Sequence, residues 1–225
     1  MNRILLVRRG ENKADLTKDF SHRAVHYPLT AKGRLQAEQT AAYLKRYPVT
    51  RIFTSPLKRA RQTAQMIAAR VGVGVSVLEA FRETNVGVLE GQTPTEATWQ
   101  QHDAIIGAWF AGDVAARFPG GENFLELVAR VREGYAQICR GRDGKMVVLV
   151  AHGGSLGMPL LKLVPGGLNR EALRSHPNCA VSELSAADQG GHLQLELVSW
   201  AARGHLSGEG AAFVPGVALP GELPA

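Results

Sequence analysis

Two stretches of this chain set ionisable side chains beside glycine at the end of an apolar run. Leu5-Leu6-Val7 leads into Arg8-Arg9-Gly10, and Met146 to Val150 leads into Ala151-His152-Gly153-Gly154. Each apolar run reads as a buried strand, and glycine at its tip lets the backbone approach a ligand with no Cβ in the way. Two adjacent guanidiniums suit an oxyanion, because arginine presents a rigid fork of donors that matches phosphate or carboxylate. The alternative for Arg8-Arg9 taken alone is a solvated pair at a strand end. A third polar stretch, Ser55 to Arg59, follows a short strand from Arg51 to Thr54.

Whether these stretches meet depends on the elements between them. After the first strand, Arg3 to Val7, a polar loop from Lys13 to Pro28 carries His22, Arg23 and His26, and it is too long to be a simple connector. Thr30 caps a helix to Tyr47, Ser55-Pro56 opens a helix from Leu57 to Val71, and Val73 to Leu78 is a third strand. Phe81-Arg82-Glu83 begins an irregular segment. A helix over 95–111 is expected to form a lid or side layer, with Trp99, Trp109 and Phe110 used for packing. Pro119-Gly120-Gly121-Glu122 breaks the chain before a helix from Asn123 to about Arg140, and a further helix follows Ala151-His152-Gly153-Gly154 and runs through Leu163. Ala180–Ser185 and His192–Trp200 read as a hairpin across Asp188 to Gly191. Alternating strands and helices imply an α/β three-layer sandwich, a mainly parallel sheet with helices on both faces. Ligands bind at the carboxyl ends of such strands, which would bring the polar tips to one edge. One domain over 1–203 and a loosely packed Gly- and Pro-rich tail over 204–225 are expected.

With 225 residues, 45% of them apolar, the chain can bury a substantial core, and its net charge of +6 favours anionic ligands. The arginines are scattered without aromatic interleaving, so nucleic acid is not an expected partner. No apolar run approaches the roughly 20 residues of a membrane span and the N-terminus lacks a signal-peptide pattern, so no membrane partner is expected and the localisation is expected to be cytoplasmic. Cys139 and Cys179 lack metal-ligand spacing and are expected to be reduced and packed. The expected partner is a small phosphorylated molecule or inorganic phosphate, bound by a monomer or homodimer.

Six segments in order resemble the histidine phosphatase superfamily, the phosphoglycerate mutase-like proteins. They are Leu6–Glu11, Leu29–Gly33 with Gln36-Ala37, Thr54–Ala64, Phe81-Arg82-Glu83, Pro119–Glu122, and Val150–Gly154. The resemblance implies a phosphoglycerate mutase-like fold and a phosphomonoesterase in which a histidine attacks phosphorus to form phosphohistidine. It assigns Arg8 and Arg59 to a phosphate clamp, His152 to a second histidine that holds the phosphoryl group, and Glu83 to the general acid. Gly153 and the amide of Asn12 are placed at the phosphate. No metal or organic cofactor is implied. The span from Glu83 to His152 is shorter than in mutases, which favours the phosphatase branch over a phosphoglycerate mutase-type phosphotransferase.

The nucleophile's position, however, holds Arg9. Arginine stays protonated, with a pKa above ~12, and has no lone pair to offer phosphorus. Where the family often carries an asparagine this chain has Asp15, which is expected to point elsewhere. Three readings follow: an active phosphatase altered at one residue, a pseudoenzyme that binds a phosphate ester, or an enzyme rerouted through His152, His22 or His26. His22 and His26 are otherwise expected to be solvated, and His205, in the tail, has no expected role.

Overall fold

A computed structural model describes residues 1–23, 26–174 and 176–212 of the chain. Asn2–Arg8 forms β1, Val49–Thr54 β2, Val75–Val77 β3, Met146–Ala151 β4, Val181–Gln189 β5 and His192–Ala202 β6. Among the described residues they make one sheet in the order β3-β2-β4-β1-β5-β6. The first four are mutually parallel, and β5 and β6 run antiparallel at one side. The expected mainly parallel sheet is therefore found.

Side chains alternate across a strand, so a strand buried on both faces must be apolar throughout. β1 meets this condition: Ile4 and Leu6 enter one apolar layer while Leu5 and Val7 enter the other. β4 does the same with Val147 and Leu149 against Val148 and Val150, and all six of its residues are buried. Helices α2 (Ala31–Leu44) and α3 (Lys58–Val71) cover the second layer through Ala41, Leu44, Ala60, Ala64 and Ile67. Helices α4 (Glu96–Phe110) and α5 (Phe124–Cys139) cover the first, where Trp109, Phe124, Leu127, Val131 and Ile138 are buried. Asn123 caps α5 by accepting from the Glu126 amide at 2.9 Å. The hairpin turn has Gly190 and Gly191 at φ of +63° and +91°, which glycine adopts without a Cβ clash. Both cysteines are buried and free.

Two expectations need correction. The loop over 13–28 is not wholly irregular: Lys13–Thr17 forms a short helix, α1, whose cap is Asn12. Asn12 supplies a capping oxygen and Asp15 closes the capping box, a local hydrogen-bond pattern that composition hides. Residues from Gly204 are also not loose where described. His205 Nε2 lies 3.1 Å from the Thr40 hydroxyl, the His205 ring stacks on Tyr43 at 4.7 Å, and Leu206 is buried. A last turn of helix, α6 (Gly208–Ala211), packs on α2, with Gln36 Nε2 donating to the Gly210 carbonyl at 3.2 Å. The rest of the expected tail, residues 213–225, lies outside the described residues. No described helix is long and apolar enough to cross a membrane.

Candidate active site

The register of the sheet sets the site. Arg8 stands opposite Ala151 and Thr54 opposite Val150, so Arg8-Arg9, Ser55 and His152 leave the sheet at one edge. There Arg8 and Arg9 line a cavity of about 350 Å³. Its floor carries Arg8, Arg9, Arg59, Asp15, Glu83 and Gly153, and its wall carries Phe20, Val86, Trp99, His102, Ile106 and Met158. Trp99 and His102 bring α4 to the cavity as well as to the core. Phe20 contacts Trp99 at 4.4 Å between ring centroids, so α4 and the chain after α1 form the wall together. At its base β1 turns under tight contact, where a Cβ on Gly10 would overlap the Gly33 carbonyl of α2.

Arg59, on the first turn of α3, is 1% exposed. One Nη donates to the Ser21 carbonyl at 2.6 Å, while Nε and Nη1 have no partner among the described residues. Burial, and then the charge of Arg9, bring its pKa down to about 9, so it remains a cation at neutral pH. Arg8 donates to the His176 carbonyl, and burial followed by Arg9 lowers its pKa too. His152 is fully buried behind the floor with Nε2 2.7 Å from the Ser55 hydroxyl. Burial, then Arg59 and Arg9, push its pKa well below the ordinary value, so the ring is neutral. Its other ring nitrogen, Nδ1, has no partner among the described residues.

Glu83 is held by amides. Its Oε1 accepts from Thr84 and Ser155, both at 2.9 Å, and Oε2 from Gly154 at 3.3 Å. A Cβ on Gly154 would overlap the Glu83 carboxylate and the Thr84 hydroxyl, so a larger residue there would displace Glu83. Arg130, to which sequence reasoning gave no role, fixes the backbone beneath. It donates to the carbonyls of Ala80, Arg82 and Glu83 at 2.7, 2.9 and 3.2 Å, and to both oxygens of Glu122 at 2.7 and 2.8 Å. Glu122 in turn accepts from the Asn85 amide at 2.8 Å. The Pro119–Glu122 motif thus anchors the Glu83 segment, and a glutamate after Gly-Gly was the available signal. His22 is not free in solvent: its Nδ1 donates to the Glu83 carbonyl at 2.6 Å. His26 is exposed, as expected.

Asp15 and Asn12 exchange their expected places. Asp15, expected to point away, faces the floor. It forms a two-pronged ion pair with Arg9, in which Nη1 meets Oδ2 and Nη2 meets Oδ1 at 2.9 Å, and Oδ1 lies 3.4 Å from Arg8 Nη2. Burial alone would raise its carboxyl, but the charges and hydrogen bonds of Arg9, with Arg8 and the Asn12 amide, outweigh that and hold it well below the usual carboxylate range. Asn12, expected at the phosphate, spends its side chain on the Ala14 amide and on Asp15, both at 2.9 Å, and is not on the cavity wall.

His176 gives a pH prediction. Both ring nitrogens are buried without a partner among the described residues, the ring packs on Trp200 at 4.3 Å, and burial, then Arg8, lower its pKa to about 3. A group whose folded pKa is depressed contributes stability that is intact above its unfolded pKa, near 6.5, and lost as pH falls toward 3. A His176→Phe chain keeps the ring contact without titrating, so its melting temperature should fall less between pH 7 and 5. The difference at pH 5 should be about 2 kcal/mol, or roughly 4–8 °C. Parallel melting-temperature profiles would mean that this ring is not buried in neutral form.

An arginine-lined cavity at the carboxyl edge of a mainly parallel sheet places the chain in the α/β class. The chain belongs to the histidine phosphatase superfamily (branch 1), whose profile matches residues 4–198. It is 33% identical over 192 residues to the Probable phosphoglycerate mutase GpmB of Yersinia enterocolitica, covering 82% of this chain and 85% of that protein. It is 28% identical to the Uncharacterized phosphatase PhoE of Bacillus subtilis, covering 92% of this chain and 98% of that protein. Among solved structures, a mycobacterial glucosyl-3-phosphoglycerate phosphatase in complex with VO3 superposes with a TM-score of 0.70 at 28% identity. That match covers 90% of this chain and 100% of the other.

Proposed function

We propose that the pocket binds the phosphoryl group of a small phosphomonoester, or inorganic phosphate, and that Arg9 prevents the phosphohistidine step by which the family's phosphatases turn over. One observation carries this reading. Arg8 Nε, Arg9 Nε, and Arg59 Nε and Nη1, on side chains that line the pocket, are buried and have no partner among the described residues. Buried polar groups are normally paired, so this cluster calls for an acceptor with several oxygens. The apolar wall of Phe20, Val86, Trp99 and Ile106 suits an ester with a partly apolar body. Relatives named as phosphatases and as a mutase fit the same ligand class, and the short span from Glu83 to His152 favours the phosphatase branch.

Rerouting is disfavoured by position. His152 is sealed behind Ser55, the Nδ1 of His22 is committed to the Glu83 carbonyl, and His26 is exposed away from the floor. The test is a melting curve with inorganic phosphate or vanadate. At about a hundredfold excess over the dissociation constant, a ligand of the folded state alone adds roughly 2.7 kcal/mol, or about 5–10 °C for a chain of this size. No rise at any phosphate concentration would refute a phosphate pocket.

A further inference from the structure

We propose that the Asp15 carboxylate is a built-in anion that competes with ligand phosphate for the guanidiniums of Arg8 and Arg9, so that Asp15 sets the affinity of the site and blocks catalysis even when position 9 carries histidine. The proposal rests on the reading of the pocket as a phosphoryl site.

The geometry is that of a bound oxyanion. Two oxygens on one carbon take two parallel N–H groups of Arg9, and one of them also faces Arg8. A phosphoryl group presents edges of the same kind to arginine. Asp15 cannot easily swing aside, because the Asn12 amide and side-chain nitrogen both donate to its Oδ2, at 2.8 and 2.9 Å, within the capping box that starts α1. An incoming phosphate therefore meets a fixed negative charge that already holds three of the donor nitrogens on the floor. Like charges side by side in a partly desolvated site repel strongly.

The pair is also reciprocal. Arg9 is 7% exposed, and a guanidinium buried next to Arg8 and near Arg59 needs a counter-charge that Asp15 supplies. Arg9 and Asp15 thus act as one unit. Placing histidine at position 9 alone would leave the carboxylate beside the new nucleophile, in contact with Arg8 and facing the dianion that must be attacked. Asparagine at position 15 keeps an oxygen for the Asn12 donors and turns an acceptor into a donor toward phosphate.

Four chains test this: the chain as written, Asp15→Asn, Arg9→His, and Arg9→His/Asp15→Asn. Each is titrated calorimetrically with inorganic phosphate and assayed on an aryl phosphate. Asp15→Asn should bind phosphate at least about tenfold more tightly than the chain as written. The double variant should turn over at least about a hundredfold faster than Arg9→His alone, well beyond the product of the single effects. If Asp15→Asn fails to fold because Arg9 is left uncompensated, the double variant against Arg9→His carries the same comparison of affinity. Phosphate binding by the chain as written, with no gain on removing the Asp15 charge in either background, would overturn the inference and leave the pocket reading intact. Absence of phosphate binding by all four chains would overturn both.

Discussion

Given an aryl phosphate, the chain with Arg9 is expected to release phosphate no faster than its Arg9→Ala variant, and at least about a thousandfold more slowly than the Arg9→His/Asp15→Asn chain. The comparison with alanine isolates what the arginine contributes to chemistry. A protonated guanidinium can stabilise charge but cannot form a bond to phosphorus, so removing it takes away no nucleophile. What remains in both chains is Arg8, Arg59 and Glu83, which can position an ester but cannot split the reaction into two easier steps. Initial rates from purified chains decide the matter. A rate for the Arg9 chain that collapses in Arg9→Ala would mean that Arg9 takes part in catalysis by a route the pair with Asp15 does not suggest.

The largest effect on stability is expected at Arg130. Arg130→Ala removes five hydrogen bonds and leaves the Glu122 carboxylate, only 10% exposed, without its cation. Breaking a buried pair from one side costs about 3–5 kcal/mol, and because a quarter of the Arg130 side chain is exposed the low end applies, giving a melting temperature lower by roughly 6–12 °C. Phosphate affinity should fall as well, since the carbonyl of Glu83 loses one of its two side-chain donors and the floor loosens. Calorimetric melting of the variant with and without phosphate measures both. A shift under about 2 °C would mean that the Glu122 pair adds little beyond solvated charges.

Much of the site was legible because it is written at strand tips. Apolar runs that stop at Arg8 and at His152 announce both the strands and their polar ends, and parallel pairing of β1 with β4 then forces the ends together. The place of Asp15 in the site was not legible. Lys13-Ala14-Asp15 reads as the start of a polar loop, and only the formation of α1 turns Asp15 back toward Arg9. An Asn and an acidic residue three apart was the signal that was available. Arg130 was hidden for another reason: it lies on the polar side of an amphipathic helix, where arginine is ordinarily solvated, and its carbonyl partners lie 47 to 50 residues away in the chain. The docking of Leu206 and α6 on α2 was obscured by glycine-rich composition, which says nothing about a single buried leucine.

The central claim, a phosphoryl pocket that binds without forming a covalent intermediate, is tested most directly by mass spectrometry of the chain exposed to an aryl phosphate and to inorganic phosphate. Spectra are taken first under native conditions and then after denaturation at alkaline pH, where phosphohistidine survives. One phosphate per chain is expected in the native spectrum and none after denaturation. A native spectrum free of phosphate, or an adduct that survives denaturation on His102, His152 or any other residue, would contradict it.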